Sequence, residues 1–234
     1  MIAAIVFDKD GTLFDFEATW AGWTAGLLAE LSEGEGALAG RLADAIGFDL
    51  PTRRFHPESP VIAATPVEIA AAMLPHLPRW GAGALVDRMN ARAADARQAE
   101  VVPLRPLLVH LRAGGLRLGL VTNDGEAPAR AHLAGAGISD LFDFVAGSDS
   151  GHGAKPAPGQ LLAFARATGV APGATVMVGD SLHDLHAGRA AGMRAVGVLT
   201  GLAAHHDLAP HADAVLPDIG ALPGWLATLP QRQG

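Results

Sequence analysis

Apolar residues are distributed along the chain in two rhythms. In the first, short apolar runs with little polar interruption occur at Ile2–Phe7, Leu116–Thr122, Phe144–Gly147, Thr175–Gly179, Ala195–Leu199 and Ala214–Leu216. Runs of this length, without polar alternation, are expected of strands covered on both faces. Between them, Leu104–Ala113, Ala127–Ala136, Gly159–Thr168 and Leu182–Ala191 carry helical spacing. Strand alternating with helix predicts an α/β fold, a doubly wound parallel sheet joined by right-handed crossovers. Residues 15–100 follow the second rhythm. They offer no convincing strand, and helical periodicity runs over Trp20–Leu31, Gly36–Ile46, Pro66–Leu74 and Ala82–Ala99. Thr65-Pro66-Val67-Glu68 has the pattern of an N-cap, an N1 proline and an N3 glutamate. A proline-rich joint, Val102-Pro103-Leu104-Arg105-Pro106, closes the segment. The expected organisation is a catalytic core of residues 1–14 and 101–234, interrupted by a helical cap domain over 15–100. An insertion directly after the first strand overhangs the carboxyl ends of the sheet, where a lid would sit.

Composition narrows the function classes. The chain has 234 residues, half of them hydrophobic, and a formal net charge of -7 with no long basic run. Nucleic acid is therefore not an expected partner, and an anionic substrate would need local cations to overcome the field. There is no cysteine, which excludes disulfides, thiolate catalysis and cysteine-ligated zinc. No apolar stretch has the length to span a bilayer, and the N-terminal apolar run is too short for a signal peptide. A cytoplasmic location is the expectation, and monomer and homodimer both stay open.

Four polar segments punctuate this pattern. The first apolar run ends in Asp8-Lys9-Asp10-Gly11-Thr12, and two others end in Thr122-Asn123 and Gly179-Asp180-Ser181-Leu182-His183-Asp184. The fourth, Lys155-Pro156, lies in the loop before a helix. If the sheet is parallel, all four converge on the rim where open α/β sheets bind ligands. Asp8 and Asp10 repel each other at such a rim unless a cation balances them or one keeps a proton. A divalent metal meets the first condition, and general acid catalysis uses the second.

These segments, in this order, resemble the haloacid dehalogenase (HAD) superfamily, in particular phosphoglycolate phosphatase-like phosphohydrolases with a helical cap after the first motif. The resemblance implies a Rossmann-like core and a Mg²⁺-dependent phosphatase acting through an aspartyl-phosphate. It implies that Asp8 is the nucleophile and Asp10 the acid and then the base. Thr122, helped by Asn123, would bond a phosphoryl oxygen, and Lys155 would neutralise Asp8 and the phosphate. Mg²⁺ would be held by Asp8, Asp10 through its carbonyl, and Asp180, with Asp184 orienting the shell. Gly11 and Thr12 would turn the loop against the substrate. The partner implied is a small phosphorylated metabolite, 2-phosphoglycolate foremost.

Lysine usage bears on the resemblance. The chain has two lysines, Lys9 and Lys155, against fifteen arginines. Phosphonatase-type members of the family resembled use a cap lysine for a Schiff base, and dehalogenase-type members have no acid at the position of Asp10, so the resemblance implies neither chemistry here. Lys9 is expected to alternate away from Asp8 and Asp10 and to be structural or to line the cap interface. In the cap, Arg53 and Arg54, with His56, could clamp a second anion or form a solvated basic turn. Trp20 and Trp23 are expected in the cap core. His205, His206 and His211 lack a ligand set at metal spacing. His183 is either a substrate contact or an exposed helix-start histidine. A phosphosugar mutase remains an alternative, as does a noncatalytic receiver-like domain, against which the inserted cap and Asp10-Gly11-Thr12 argue.

Overall fold

The structure is a computed structural model and describes residues 1–230; the last four residues of the expected core segment lie outside the described residues. From the N-terminus the chain forms β1 (Ala4–Phe7), α1 (Phe16–Leu31), α2 (Gly36–Ala45), β2 (Phe48–Asp49), β3 (Arg54–Phe55), α3 (Pro66–Met73) and α4 (Ala82–Ala94). It continues as α5 (Leu104–Ala113), β4 (Arg117–Val121), α6 (Glu126–Gly135), β5 (Phe144–Ala146), α7 (Gly159–Thr168), β6 (Thr175–Gly179) and α8 (Leu182–Ala190). It closes with β7 (Arg194–Val198), α9 (His205–Leu208), β8 (Ala214–Leu216) and α10 (Leu222–Thr228).

Six strands make one parallel sheet in the order β5-β4-β1-β6-β7-β8. β1 is central, with Ala4 opposite Arg117 on one side and Thr175 on the other. The chain first winds outward through β4 and β5, then returns to β6 and winds the other way. This reversal beside β1 is the switch point at which open sheets leave a crevice. Successive residues of β1 serve opposite faces, as strand geometry requires. Ile5 and Phe7 pack with Leu104, Leu108 and Leu133 of α5 and α6. Ala4 and Val6 pack with Leu161, Phe164 and Ala187 of α7 and α8. All four β1 side chains are fully buried, which explains a run without polar alternation.

The segment between β1 and α5 packs around its own core. Trp20, Trp23, Leu27 and Leu31 recur at three and four residues on α1 and meet Leu42, Ile69, Met73, Leu85 and Met89 from the other helices. Its two connections run side by side: the Asp15 amide donates to Ala99 O (2.8 Å) and the Val101 amide to Leu13 O (3.1 Å). The capping box expected at Thr65 is present, with Glu68 reaching back to the Thr65 amide at 2.8 Å.

Three local readings are corrected. The insertion does hold strands, since β2 and β3 pair antiparallel, Phe48 opposite Phe55. Asp49 closes that turn by accepting from the Thr52 amide and hydroxyl, both at 2.7 Å. Helix α1 begins at Phe16, because the Asp15 side chain caps the Ala18 amide (2.8 Å). Helix α4 ends at Ala94, short of the expected Ala99. No helix among the described residues is long and apolar enough to cross a membrane.

Candidate active site

The rim begins where β1 stops. The Asp8 amide donates to Val178 O at 2.8 Å, which seats Asp8 at the sheet's carboxyl edge beside β6. The chain then coils: Leu13 and Phe14 donate back to Lys9 O, and Gly11 donates to Phe14 O (2.7 Å). Gly11 has φ 73°, and a Cβ there would fall 2.5 Å from Asp180 Oδ2. Only glycine meets both conditions. Thr12 is buried beneath the loop and does not line the cavity.

β4 and β6 deliver the other segments. The Thr122 hydroxyl accepts from the Asp124 amide (3.1 Å) at the cavity wall. Asp180 follows β6 directly, and Ser181 caps α8 in a box with Asp184: Asp184 Oδ2 accepts from the Ser181 amide (3.1 Å) and hydroxyl (2.7 Å). The Lys155 ammonium lies between Asp8 and Asp184, donating to Asp8 Oδ1, to Asp184 Oδ1 (2.7 Å) and to Val121 O (3.2 Å). Asn123 lines the cavity, but its amide is committed to backbone. It donates to Lys155 O (2.9 Å) and Ala63 O (2.7 Å) and accepts from the Lys155 amide (2.9 Å). It splints the lysine loop to the insertion.

Lys9 does not alternate away from Asp10. Because the chain coils after β1, its fully buried ammonium turns to Asp10 Oδ2 (2.8 Å), Asp124 Oδ2 (2.8 Å) and His132 Nδ1 (3.0 Å). It also lies 5.1 Å from the Trp20 ring centroid. The site thus holds two buried lysines, each set between two aspartates. Neither Asp124 nor His132 stands in a motif with its own signal, so spacing did not reveal them. Thr200 and Gly201 escaped for the same reason. The Thr200 hydroxyl donates to Gly11 O (2.6 Å), and a Cβ on Gly201 would fall 1.7 Å from Asp180 Oδ2.

Five carboxylates line the cavity, Asp8, Asp10, Asp124, Asp180 and Asp184, against two ammonium groups. Burial raises Asp8 to about 7, with Lys155 opposing, and Asp10 to about 6, with Lys9 opposing. Burial, with Asp184 and Asp8 nearby, lifts Asp180 well above the ordinary carboxylate range. Burial works against the charge of both lysines, yet the paired carboxylates outweigh it and hold each ammonium above its usual pKa. Carboxylate oxygens of Asp8, Asp180 and Asp184 lie within 4.8 Å of one another. A cluster of buried hard oxygens with surplus negative charge, and no histidine or thiolate among them, suits a hard divalent cation such as Mg²⁺. With both Asp184 oxygens already bonded to Lys155 and Ser181, Asp8 and Asp180 keep the freest oxygens.

The insertion roofs this cluster with Phe16, Trp20 and the turn Val61-Ile62-Ala63-Ala64, leaving a cavity of about 40 Å³. Trp20 and Trp23 pack edge to face in the insertion's core, centroids 5.0 Å apart, and Trp20 serves the cavity as well. His183 lines it from the first turn of α8 and faces Glu68. Arg53 and Arg54 are not brought to the cavity. Both are exposed on the β2–β3 turn, and Arg54 pairs with Glu17 at 3.4 Å. His56 is exposed too, and His205, His206 and His211 stand away from the cavity. The site geometry therefore gathers a carboxylate held by Lys155, a second, half-buried carboxyl paired with Lys9, and a cluster of carboxylates that suits a cation, all at one edge of one sheet.

Residues 2–192 match the model of haloacid dehalogenase-like hydrolases. The phosphoglycolate phosphatase of Rhodospirillum rubrum is 39% identical over 128 residues, 55% of this chain and 53% of that protein. The chain thus spans about half the length of the curated relatives it matches. An HAD phosphatase from Thermococcus onnurineus superposes with a TM-score of 0.69 at 25% identity, over 96% of this chain and 98% of the other. A beta-phosphoglucomutase from Clostridium difficile superposes with a TM-score of 0.69 at 20% identity, over 95% and 93%, a likeness of fold. By its matched sequence and by the arrangement around Asp8, the chain belongs to the haloacid dehalogenase-like hydrolases.

Proposed function

We propose that the protein is a Mg²⁺-dependent phosphatase that hydrolyses a small phosphorylated metabolite through an aspartyl-phosphate on Asp8, beneath a cap domain of residues 15–100. The observation that carries this reading is Asp8 at the mouth of the cavity. One oxygen is held by Lys155, and a second carboxyl, Asp10, raised to about 6, stands two residues away.

The free oxygen of Asp8 attacks phosphorus, the bond to the ester oxygen breaks, and Asp10 gives its proton to the departing alkoxide. Asp10, now a carboxylate, takes a proton from water, whose oxygen attacks the phosphoryl group and returns Asp8 with free phosphate. Lys155 keeps the attacking oxygen in line and meets charge gathering on the phosphoryl oxygens, with Thr122 beside it. Asp8, Asp180 and the Asp10 carbonyl would hold Mg²⁺, with Asp184 orienting them. When bound, the ion neutralises the surplus carboxylate charge and polarises the phosphoryl oxygens. The apolar roof excludes water from the ester side.

The name carried by the Rhodospirillum relative puts 2-phosphoglycolate first among candidate substrates. The test is phosphate release from a panel of small esters, with and without Mg²⁺, beside Asp8→Asn. Metal-dependent release abolished in Asp8→Asn supports the mechanism. Isomerised phosphosugar without net phosphate release would instead identify a mutase, the second reading that the fold admits. No turnover of any ester by folded, metal-loaded protein would leave the receiver-like reading.

A further inference from the structure

Lys9 has no part in the reaction just described, yet it is the more completely buried of the two lysines. The Lys9 ammonium donates to Asp10 and to His132 Nδ1, and it forms an ion pair with Asp124 at 2.8 Å. The Lys9–His132 contact sets the histidine's tautomer. Burial, with Lys9 beside it, lowers His132 to about 4, so the ring is neutral near pH 7. With Nδ1 accepting from Lys9, the ring proton sits on Nε2, which donates to Ala93 O at 2.7 Å. Ala93 belongs to the last turn of α4, in the insertion. A continuous chain of hydrogen bonds therefore runs from the Asp10 carboxyl through Lys9 and His132 to α4 of the insertion. The α4–core contact is close here as well, since a Cβ on Gly125 would fall 3.1 Å from Asn90 Oδ1.

Asp10 and Asp124 both line the cavity, and Lys9 stands between them. Without that cation the two carboxylates repel, and Asp10 is free to rotate from the ester oxygen. We propose that Lys9 is a positioning residue that aims the Asp10 carboxyl at the leaving group and, through His132, ties that aim to the seating of α4. This role rests on the reading of Asp10 as proton donor.

The experiment compares kcat/KM for two esters with different needs. Acetyl phosphate releases acetate, which departs without a proton; an alkyl phosphate releases an alkoxide, which requires one. Because kcat/KM extends only through the first irreversible step, it reports transfer to Asp8 and not the later hydrolysis. In Lys9→Met, which keeps the stem's bulk, the ratio of alkyl to acetyl turnover is expected to fall by about tenfold or more, out of the 10²–10⁴ available to a general acid. An equal loss on both esters would overturn the role, because a merely structural lysine has no preference between leaving groups. Should Lys9→Met fail to fold by circular dichroism, His132 carries the test. His132→Leu is expected to lower the same ratio several-fold, and His132→Gln, which keeps an acceptor and a donor, to restore it. Unchanged ratios in both would overturn the role. Wild-type protein that releases phosphate from neither ester would instead remove the phosphatase reading itself, an outcome seen before any variant is made.

Discussion

In the mechanism proposed above, Asp10 would be an acid in one step and a base in the next, which calls for an affinity for a proton close to the working pH. Burial raises it and Lys9 draws it back, leaving it at about 6. Only the protonated form can serve the alkoxide, so the alkyl-to-acetyl ratio of kcat/KM is expected to decline as pH rises through about 6. A ratio flat to pH 8 would take Asp10 out of the role. Asp180 depends on its neighbours in another way, because Gly11 and Gly201 leave it space that any side chain would occupy. Gly201→Ala is expected to weaken Mg²⁺ binding by about tenfold or more, as disturbed support of ligands commonly does. Calorimetric titration checks this, and unchanged affinity would argue against Asp180 as a ligand.

At the scale of elements, the caps can be tested without touching chemistry. Asp15→Ala removes the side-chain acceptor of the Ala18 amide and is expected to cost about 1 kcal/mol, read from the urea midpoint. The sheet was legible because its strands are buried on both faces and end in abrupt polar motifs. β1, β4 and β6 lie within two residues of the expected runs. Two-residue strands such as β2 and β3 are too short to show a period. The early end of α4 was hidden as well. Asp95-Ala96-Arg97-Gln98-Ala99 is sequence that suits a helix, and α4 closes beside the Ala93–His132 bond, a contact made across the fold. The four motif segments met as their strand ends required. Arg53 and Arg54 did not join them, because a loop's chemistry does not encode which way the loop faces. Lys9 was misdirected by treating the chain as extended past Phe7, where it in fact coils.

At the scale of the whole molecule, buried charge couples stability to pH and to cations. Asp8 and Asp10 are raised above their ordinary value, so their contribution is complete at acid pH and is lost as pH climbs through about 6 to 7. His132, lowered to about 4, has the opposite sign: its contribution is complete above about 6.5 and is lost as pH falls toward 4. Between about pH 6.5 and 8 the carboxylates act alone, and the Tm of chelator-treated protein is expected to fall across that window, with Mg²⁺ restoring it most at the alkaline end. A Tm equally insensitive to Mg²⁺ at both ends would count against the cluster as a cation site. The burial of both lysines has a practical consequence too. With Lys9 and Lys155 enclosed among carboxylates, the folded surface offers amine-directed reagents no side-chain target. A succinimidyl ester should leave Lys9 and Lys155 unlabelled in native protein and reach both after unfolding. Peptide mass mapping of those two positions would make that difference a direct gauge of how often the site opens.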